Sequence, residues 1–212
     1  MLLDFLFPRR SLTGGEGEWV TQEELLTLST APRIFMQNEL RARGLLSLDQ
    51  VYAMGSYQHS PLLKRALHTL KYKRVPGLAG CLGTVLVHML QEKFPLCRNA
   101  ALCPVPLHFL RHFSRGFNQS ELLARSISKK TSLPSIMMLR RVRPTGHQAW
   151  RGRRERLQVM NDAFRIKKNM TISPHIYLVD DVFTTGATLE ECAKVLKRAG
   201  AKCVEAIVIA YD

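Results

Sequence analysis

Residues 176–188, I-Y-L-V-D-D-V-F-T-T-G-A-T, decide the predicted fold of this chain. Four apolar residues lead into two adjacent carboxylates, Asp180 and Asp181, and a loop of small residues then opens an amphipathic helix over 189–199. A short apolar run of this kind is typical of a strand buried on both faces of a parallel sheet. The pattern therefore predicts an α/β fold with polar groups where a central strand ends.

The loop that follows the carboxylates suits an anion. Its side chains are small, so backbone N–H groups and hydroxyls can surround a phosphate at the positive end of the helix. The residues concerned are Thr184, Thr185, Gly186, Ala187 and Thr188. Asp180 and Asp181 suit sugar hydroxyls or a divalent cation rather than the phosphate itself. We therefore predict a ribose 5-phosphate site, since helix capping alone would explain one hydroxyl and neither carboxylate.

The charge of the chain indicates a polyanionic partner. The 212 residues include 31 Lys and Arg against 17 Asp and Glu, a net charge of +14, and 46% are hydrophobic. This apolar content excludes wholesale disorder and allows a substantial core. The basic excess predicts nucleic acid or a substrate with several phosphates as a partner, and a plain solvated basic surface remains the alternative.

The cysteines and the amino-terminal stretch predict the compartment. Five scattered cysteines, at positions 81, 97, 103, 192 and 203, are typical of free thiols in a reducing environment. The apolar run at the amino terminus is too short for a signal peptide, and no stretch approaches the roughly 18 apolar residues of a membrane span. We therefore expect a cytoplasmic protein.

Strand and helix patterns continue on both sides of residues 176–188. Strands are expected over 51–57, 100–103, 136–140, 163–166 and 203–210, and helices over 21–29, 60–73, 78–93 and 120–130. Thr21 and Glu24 have the spacing of a capping box for the first helix. Residues 31–44 are expected to form a connector. We predict a small N-terminal unit over 1–50 and a main domain over 51–212.

Two further segments are rich in basic side chains. His108 and His112 have the spacing of two metal ligands on one helix face, but no third ligand is evident nearby, so a basic loop is preferred. Seven arginines lie between positions 140 and 156 with Glu155 as the single acid. This arginine run favours a lid or track for phosphates, and a solvated face remains equally open.

Residues 176–188 resemble the phosphoribosyl pyrophosphate (PRPP) signature of type I phosphoribosyltransferases. The resemblance implies a parallel sheet flanked by helices, with PRPP bound together with Mg²⁺. It implies that residues 184–188 bind the 5-phosphate and that Asp180 and Asp181 bind the ribose hydroxyls. It further implies a pyrophosphate loop formed by Cys103, Pro104, Val105 and Pro106, continuing to Leu107.

Further stretches resemble the competence protein F family, whose members are also called ComF, ComFC or GntX-like. They are residues 70–72, P-V-P-L at 104–107, R-G-F-N-Q at 115–119, R-x-T-x-x-Q at 143–148, Glu155-Arg156 and Ala163-Phe164. The resemblance covers about residues 52–211. Its loop candidates are Arg115, Asn118, Gln119, Arg143, Gln148 and Arg156.

The chain departs from this family at two places. Residues 2–8 keep the family's lead segment, but Ser11 and Gly14 stand where the first C-x-x-C pair of a zinc module would be, and no cysteine precedes Cys81. The N-terminal unit is thus predicted to have lost its zinc. Val159 stands where the family tends to have an asparagine, which puts one polar contact of the loop in doubt.

The resemblance implies a PRPP-binding protein connected with DNA uptake in natural transformation. An active enzyme would transfer the phosphoribosyl group from PRPP to an acceptor and release pyrophosphate. No residue stands out as a general base, and the sequence does not identify the acceptor. The alternative is a PRPP-sensing module whose basic surface contacts single-stranded DNA, a competence helicase or other DNA-uptake proteins.

Overall fold

The computed structural model describes residues 11–15, 18–28, 32–72, 76–107, 116–142 and 162–212. The helices of these ranges are α1 Gln22–Leu28, α2 Gln37–Ala42, α3 Pro61–Tyr72, α4 Pro76–Lys93, α5 Gln119–Thr131 and α6 Ala187–Arg198. The strands are β1 Arg33–Phe35, β2 Val51–Ser56, β3 Ala100–Pro104, β4 Leu139–Arg141, β5 Phe164–Ile166, β6 His175–Phe183 and β7 Cys203–Tyr211. Among these described helices, none has the length and apolar character that a membrane crossing needs.

The main sheet has the strand order β1-β2-β7-β6-β3. The neighbours β2, β7, β6 and β3 run parallel, and β1 pairs antiparallel with β2 at the edge. β6 pairs with β7 along its length, from His175 opposite Cys203 to Phe183 opposite Tyr211. The predicted strand-helix-strand unit with parallel strands is therefore confirmed, and so is a largely parallel sheet flanked by helices.

Apolar side chains cover both faces of this sheet. On one face α3, α4 and α5 contribute buried residues such as Leu67, Leu86 and Leu123. On the other face α6 contributes Leu196, and the β1–α2 segment contributes Phe35. Because both faces are covered, the polar groups of the central strands are confined to their ends.

The prediction of a connector over 31–44 is wrong, because this stretch contains β1 and α2. Phe35 is fully buried, and its ring lies edge-on to the ring of Phe183 with centroids 4.9 Å apart. A three-residue strand and a six-residue helix are too short to show a periodic pattern. β1 and α2 share the core of the main sheet, whereas the predicted domain boundary at residue 50 stays a prediction.

Hydrogen bonds organise the described part of the N-terminal segment. The predicted capping box is confirmed, since the Glu24 backbone N–H donates to Thr21 Oγ1 (3.2 Å) and the Thr21 N–H donates to Glu24 Oε2 (2.8 Å). The other carboxylate oxygen of Glu24 accepts from the Thr13 N–H at 2.6 Å. Ser11 Oγ accepts from the Gly15 N–H at 3.1 Å. A hydrogen-bonded turn thus occupies the position of the missing first cysteine pair.

A second, two-stranded sheet is formed by β4 and β5, which pair antiparallel. The strand expected over 136–140 therefore begins later than predicted, at Leu139. Residues 135 and 136 instead extend the edge of the main sheet, where Ser135 bridges Leu102 and the Ile136 N–H donates to the Leu102 carbonyl at 2.8 Å. The chain turns from one sheet to the other within three residues, and a periodic pattern does not detect so short a change.

Candidate functional site

Asp180 and Asp181 lie within β6, near the carboxyl end of the central strand. The expectation that the strand ends before these carboxylates is wrong, because β6 continues to Phe183 in register with β7. Residues 184–186 then form the loop, and Ala187 and Thr188 open α6. We call Asp180, Asp181 and residues 184–188 the β6 site. Its position at the carboxyl edge of a parallel sheet is the usual place for ligands in α/β proteins.

The Asp180 carboxylate is held by two hydrogen bonds. Its Oδ1 accepts from Ser120 Oγ and from the Asp181 backbone N–H, each at 2.9 Å. Burial, and after it the adjacent carboxylate of Asp181, raises the pKa of Asp180 to about 7. Asp180 therefore changes its charge near neutral pH, where an ordinary aspartate is fully ionised.

Asp181 forms an ion pair with Lys71, at the last turn of α3. Lys71 Nζ lies 3.1 Å from Asp181 Oδ2, and the exposed fractions of the two side chains are 22% and 15%. Lys71 also lowers the pKa of Asp180, although burial and Asp181 act more strongly in the other direction. The two carboxylates thus share one described cation, which leaves excess negative charge for hydroxyl donors or a metal ion.

Gly186 shapes the start of α6. It is the N-cap residue, with φ = +78°, a value that side-chain-bearing residues rarely adopt. A Cβ at this position would lie 2.5 Å from Leu45 Cδ1 and 2.7 Å from Phe183 Cε2. The loop is therefore pressed against buried side chains on one side. On the other side Thr184 is exposed, and Thr185 and Thr188 are partly exposed.

The end of β3 is tied to the start of α5. Cys103 and Pro104 are the last residues of β3 rather than loop residues, and both are buried together with Val105 and Pro106. The Asn118 side chain donates through Nδ2 to the Val105 carbonyl at 3.0 Å, and its Oδ1 accepts from the Ser120 N–H at 3.1 Å. Asn118 is thereby the N-cap of α5. This link brings α5 to the edge where β6 carries Asp180.

Gln119 is the anomaly of this region. Its side chain is 1% exposed, and neither Nε2 nor Oε1 has a hydrogen-bond partner among the described residues. A buried polar group without a partner costs about 1–3 kcal/mol. Gln119 lies between Asn118 and Ser120, and Ser120 is the residue that donates to Asp180. An unpaired amide beside this contact is a candidate for ligand binding.

The sequence predicted some of these site residues and did not predict others. Lys71 and Ser120 were not predicted as site residues, although residues 70–72 belong to the family resemblance and Ser120 follows the N-Q pair. The remaining loop candidates lie outside the described residues: Arg115, Arg143, Gln148 and Arg156. The same is true of His108 and His112.

The chain is similar in sequence to a known domain family and to several known proteins. Residues 83–212 match the family model of the phosphoribosyl transferase domain. Competence protein F of Haemophilus influenzae is 34% identical over 108 residues, which cover 50% of this chain and 47% of that protein. DNA utilization protein YhgH of Escherichia coli is 34% identical over 154 residues, covering 69% and 66%.

Competence protein ComFC of Bacillus subtilis is 28% identical over 144 residues, covering 68% of this chain and 57% of that protein. The matches thus span about half to two thirds of the length of these relatives. The family-model match at 83–212 includes β3 to β7, the β6 site and α5. The chain belongs to the phosphoribosyl transferase domain family and, within it, is a phosphoribosyltransferase-like protein of the competence protein F type.

Proposed function

We propose that the β6 site binds PRPP, in a protein of the competence type. One observation carries this proposal: two adjacent, partly buried carboxylates lie shortly before a glycine-capped helix start on a single strand-loop-helix unit. Carboxylates accept hydrogen bonds from ribose hydroxyls, and a helix start with small side chains suits a phosphate. PRPP presents both groups on one ribose, with a pyrophosphate as its third part.

The proposed contacts follow the chemistry of each residue. Residues 184–188 bind the 5-phosphate through hydroxyls and backbone N–H groups at the positive end of α6. Asp180 and Asp181 bind the ribose hydroxyls. Residues 103–107 and the arginines between 140 and 156 bind the pyrophosphate. Pro104 and Pro106 have no N–H, the Val105 N–H donates to the Val179 carbonyl and the Val105 carbonyl accepts from Asn118, so the backbone N–H that this segment would offer is that of Leu107.

Gln119 adds a contact that the family signature at 176–188 does not include. Its amide offers two N–H donors and one acceptor, all buried beside Asn118 and Ser120. A polar ligand in the β6 site would give these atoms partners and remove the cost of their burial. We assign Gln119 to the binding of the ribose or the pyrophosphate.

The proposal includes Mg²⁺ bound together with PRPP. Oxygen atoms are its preferred ligands, and Asp180 and Asp181 supply carboxylate oxygens with a single described lysine beside them. Burial, and after it the neighbouring charge of Asp181, raises the pKa of Asp180, and a hard cation bound here would favour its ionised form. Mg²⁺ supplies charge neutralisation at the pyrophosphate when it is bound.

An active enzyme would transfer the phosphoribosyl group. The nucleophile forms a bond to the anomeric carbon of PRPP, the bond from this carbon to pyrophosphate breaks, and pyrophosphate leaves with the electron pair. The β6 site would fix the ribose, while the arginines bind the leaving group and exclude water. No catalytic residue is assigned, and the acceptor is left open.

A second candidate function is DNA contact by a PRPP-sensing protein without catalysis. Two observations favour it: the net charge of +14 and the names of the relatives, a DNA utilization protein and two competence proteins. In this alternative the arginine run at 140–156 contacts phosphates of single-stranded DNA, or the protein docks on a helicase or another DNA-uptake protein.

Two assays separate these functions. Release of pyrophosphate from PRPP, measured with and without a panel of candidate acceptors, is expected for an enzyme and absent for a sensor. Binding of a fluorescent oligonucleotide, measured over a range of salt concentrations, should weaken steeply if the arginine run contacts phosphates. A flat salt response would count against the DNA contact.

A further inference from the structure

A second cluster of reactive side chains lies at the opposite end of the central strands, where β6 and β7 begin. His175 opens β6, and Cys203 opens β7 directly opposite it in the strand register. Glu205 lies two residues beyond Cys203 and so on the same face of β7. One ligand atom from each side chain, a ring nitrogen, Sγ and a carboxylate oxygen, lies within 4.8 Å of the other two. We call these three residues the amino-edge cluster.

The amino-edge cluster is separate from the β6 site. Asp180 is five residues after His175 along β6, which at about 3.3 Å per residue places them roughly 17 Å apart. The two sites therefore occupy the two ends of one strand.

A hydrogen bond to Oε1 positions the Glu205 carboxylate. The Tyr52 hydroxyl, from the neighbouring β2, lies 2.9 Å from Glu205 Oε1 and 2.6 Å from Gln50 Oε1, so these two acceptors share its single proton. The other oxygen, Oε2, lies 2.6 Å from His175 Nε2. The carboxylate is buried, with 8% of its side chain exposed, whereas 22% of the His175 side chain is exposed. One oxygen is thus fixed by the protein and the other faces the histidine and the thiol.

A further carboxylate beside the cluster, that of Asp49, already has hydrogen-bond partners. Its Oδ1 accepts from Lys197 Nζ at 2.8 Å, and its Oδ2 accepts from the Val204 N–H at 2.8 Å. Asp49 therefore fixes the backbone between Cys203 and Glu205, and its carboxylate also contacts the Cys203 thiol. A histidine-glutamate ion pair explains two members of the cluster, but it does not explain a thiol within 4.8 Å of both.

We propose that His175, Cys203 and Glu205 bind a zinc ion through Nε2, Sγ and Oε2. Nitrogen, sulfur and oxygen ligands together favour Zn²⁺ over Mg²⁺ or Ca²⁺, which prefer oxygen alone. Three protein ligands leave the fourth tetrahedral position to water, on the partly exposed side of His175. The hydrogen bond from Tyr52 to Glu205 is the outer-shell contact that orients a ligating carboxylate. The ion would join the amino ends of the two central strands.

The test is zinc binding by the full-length, metal-free protein. Zn²⁺ is titrated in competition with a chromophoric chelator, and Co²⁺ is added separately to observe the near-ultraviolet absorption of a thiolate-cobalt bond. Wild type is expected to bind about one zinc per chain. Cys203→Ser and His175→Gln should each weaken zinc binding at least tenfold. The matched control, Cys81→Ser, removes a thiol from α4 and should bind zinc as wild type does.

The cobalt spectrum identifies the thiol independently of affinity. Cys203→Ser should lose the thiolate absorption, and Cys81→Ser should keep it. If Cys203→Ser fails to fold, judged by circular dichroism, His175→Gln still tests the cluster because it leaves the thiol in place. Absence of zinc binding by wild type, or zinc binding that is unchanged in His175→Gln, would overturn the proposal. PRPP binding is not involved in either result.

Discussion

Replacing Gly186 with alanine should destabilise the protein more than the same change at Gly44. The two glycines have nearly equal φ angles, +78° and +76°. Each alanine variant therefore has the same left-handed backbone penalty, about 1–2 kcal/mol. They differ in their surroundings, because a Cβ at Gly44 would have no neighbour within 4 Å. Gly44→Ala is thus a matched control for backbone strain.

The excess cost at Gly186 comes from close contact. The new Cβ would lie 2.5 Å from Leu45 Cδ1 and 2.7 Å from Phe183 Cε2, and both side chains are buried. Overpacking of a buried site costs about 1–3 kcal/mol. In a protein of this size each kcal/mol lowers the melting temperature by about 2–4 °C. We therefore expect Gly186→Ala to melt about 2–12 °C below Gly44→Ala.

Thermal unfolding followed by circular dichroism measures this difference. Adding Leu45→Val, which removes the δ carbons, should restore part of the loss, so that the double variant is more stable than the sum of single effects predicts. Gly186→Ala should also weaken PRPP binding, because the loop must move away from Leu45, whereas Gly44→Ala should not. Equal melting temperatures for the two alanine variants would refute the close contact.

Further predictions concern Asp180, Ser120 and Gln119. The pKa of Asp180 lies above the ordinary value of 3.8, so its contribution to folding stability is full below pH 4 and is lost as the pH rises through 7. Asp180→Asn should therefore gain melting temperature over wild type between pH 5 and pH 8, and a constant difference would contradict this. Ser120→Ala removes a donor to Asp180 and should raise the pH at which PRPP binding is half-maximal, measured by titration calorimetry. Gln119→Met should raise the free energy of unfolding of the ligand-free protein, measured in urea, by about 1–3 kcal/mol. The same variant should bind PRPP at least tenfold more weakly. A lower free energy of unfolding would mean that the amide has hydrogen-bond partners.

The sequence predicted the elements whose signal is local. An apolar run followed by carboxylates and small residues identified β6, the loop and α6. Strand burial, helix capping and phosphate binding each require particular residue types within a segment of about 20 residues, so they can be read from the local sequence. The same pattern placed the strand end too early. β6 continues through Asp180 and Asp181 because β7 pairs with it as far as Tyr211, and strand pairing is a property of two segments.

The parts that could not be predicted depend on contacts between distant segments. Ser120 and Asp180 are 60 residues apart in the sequence. Lys71 meets Asp181 only because the fold brings the last turn of α3 to the carboxyl end of β6, and no local pattern indicates that pairing. The amino-edge cluster has the same origin, since His175 meets Cys203 through the register of two strands. Local patterns thus indicate the secondary structure and the ligand chemistry of a segment, whereas the fold determines which distant residues its side chains contact.

The central claim is that the paired carboxylates bind the ribose of PRPP. Isothermal titration of PRPP with Mg²⁺ into wild type and into an Asp180→Asn, Asp181→Asn double variant tests it most directly. A Glu23→Gln, Glu92→Gln variant, which removes two exposed carboxylates elsewhere, is the matched control. Because the chain has a net charge of +14, loss of two acids should strengthen any nonspecific attraction of a polyanion.

We expect wild type and the control to bind PRPP with similar affinity, and the double variant to bind it at least tenfold more weakly. Inorganic pyrophosphate titrated without Mg²⁺, which lacks both the ribose and the cation that the carboxylates would hold, should not distinguish the double variant from the control. Equal binding of PRPP by wild type and the double variant, or binding by neither, would contradict the account.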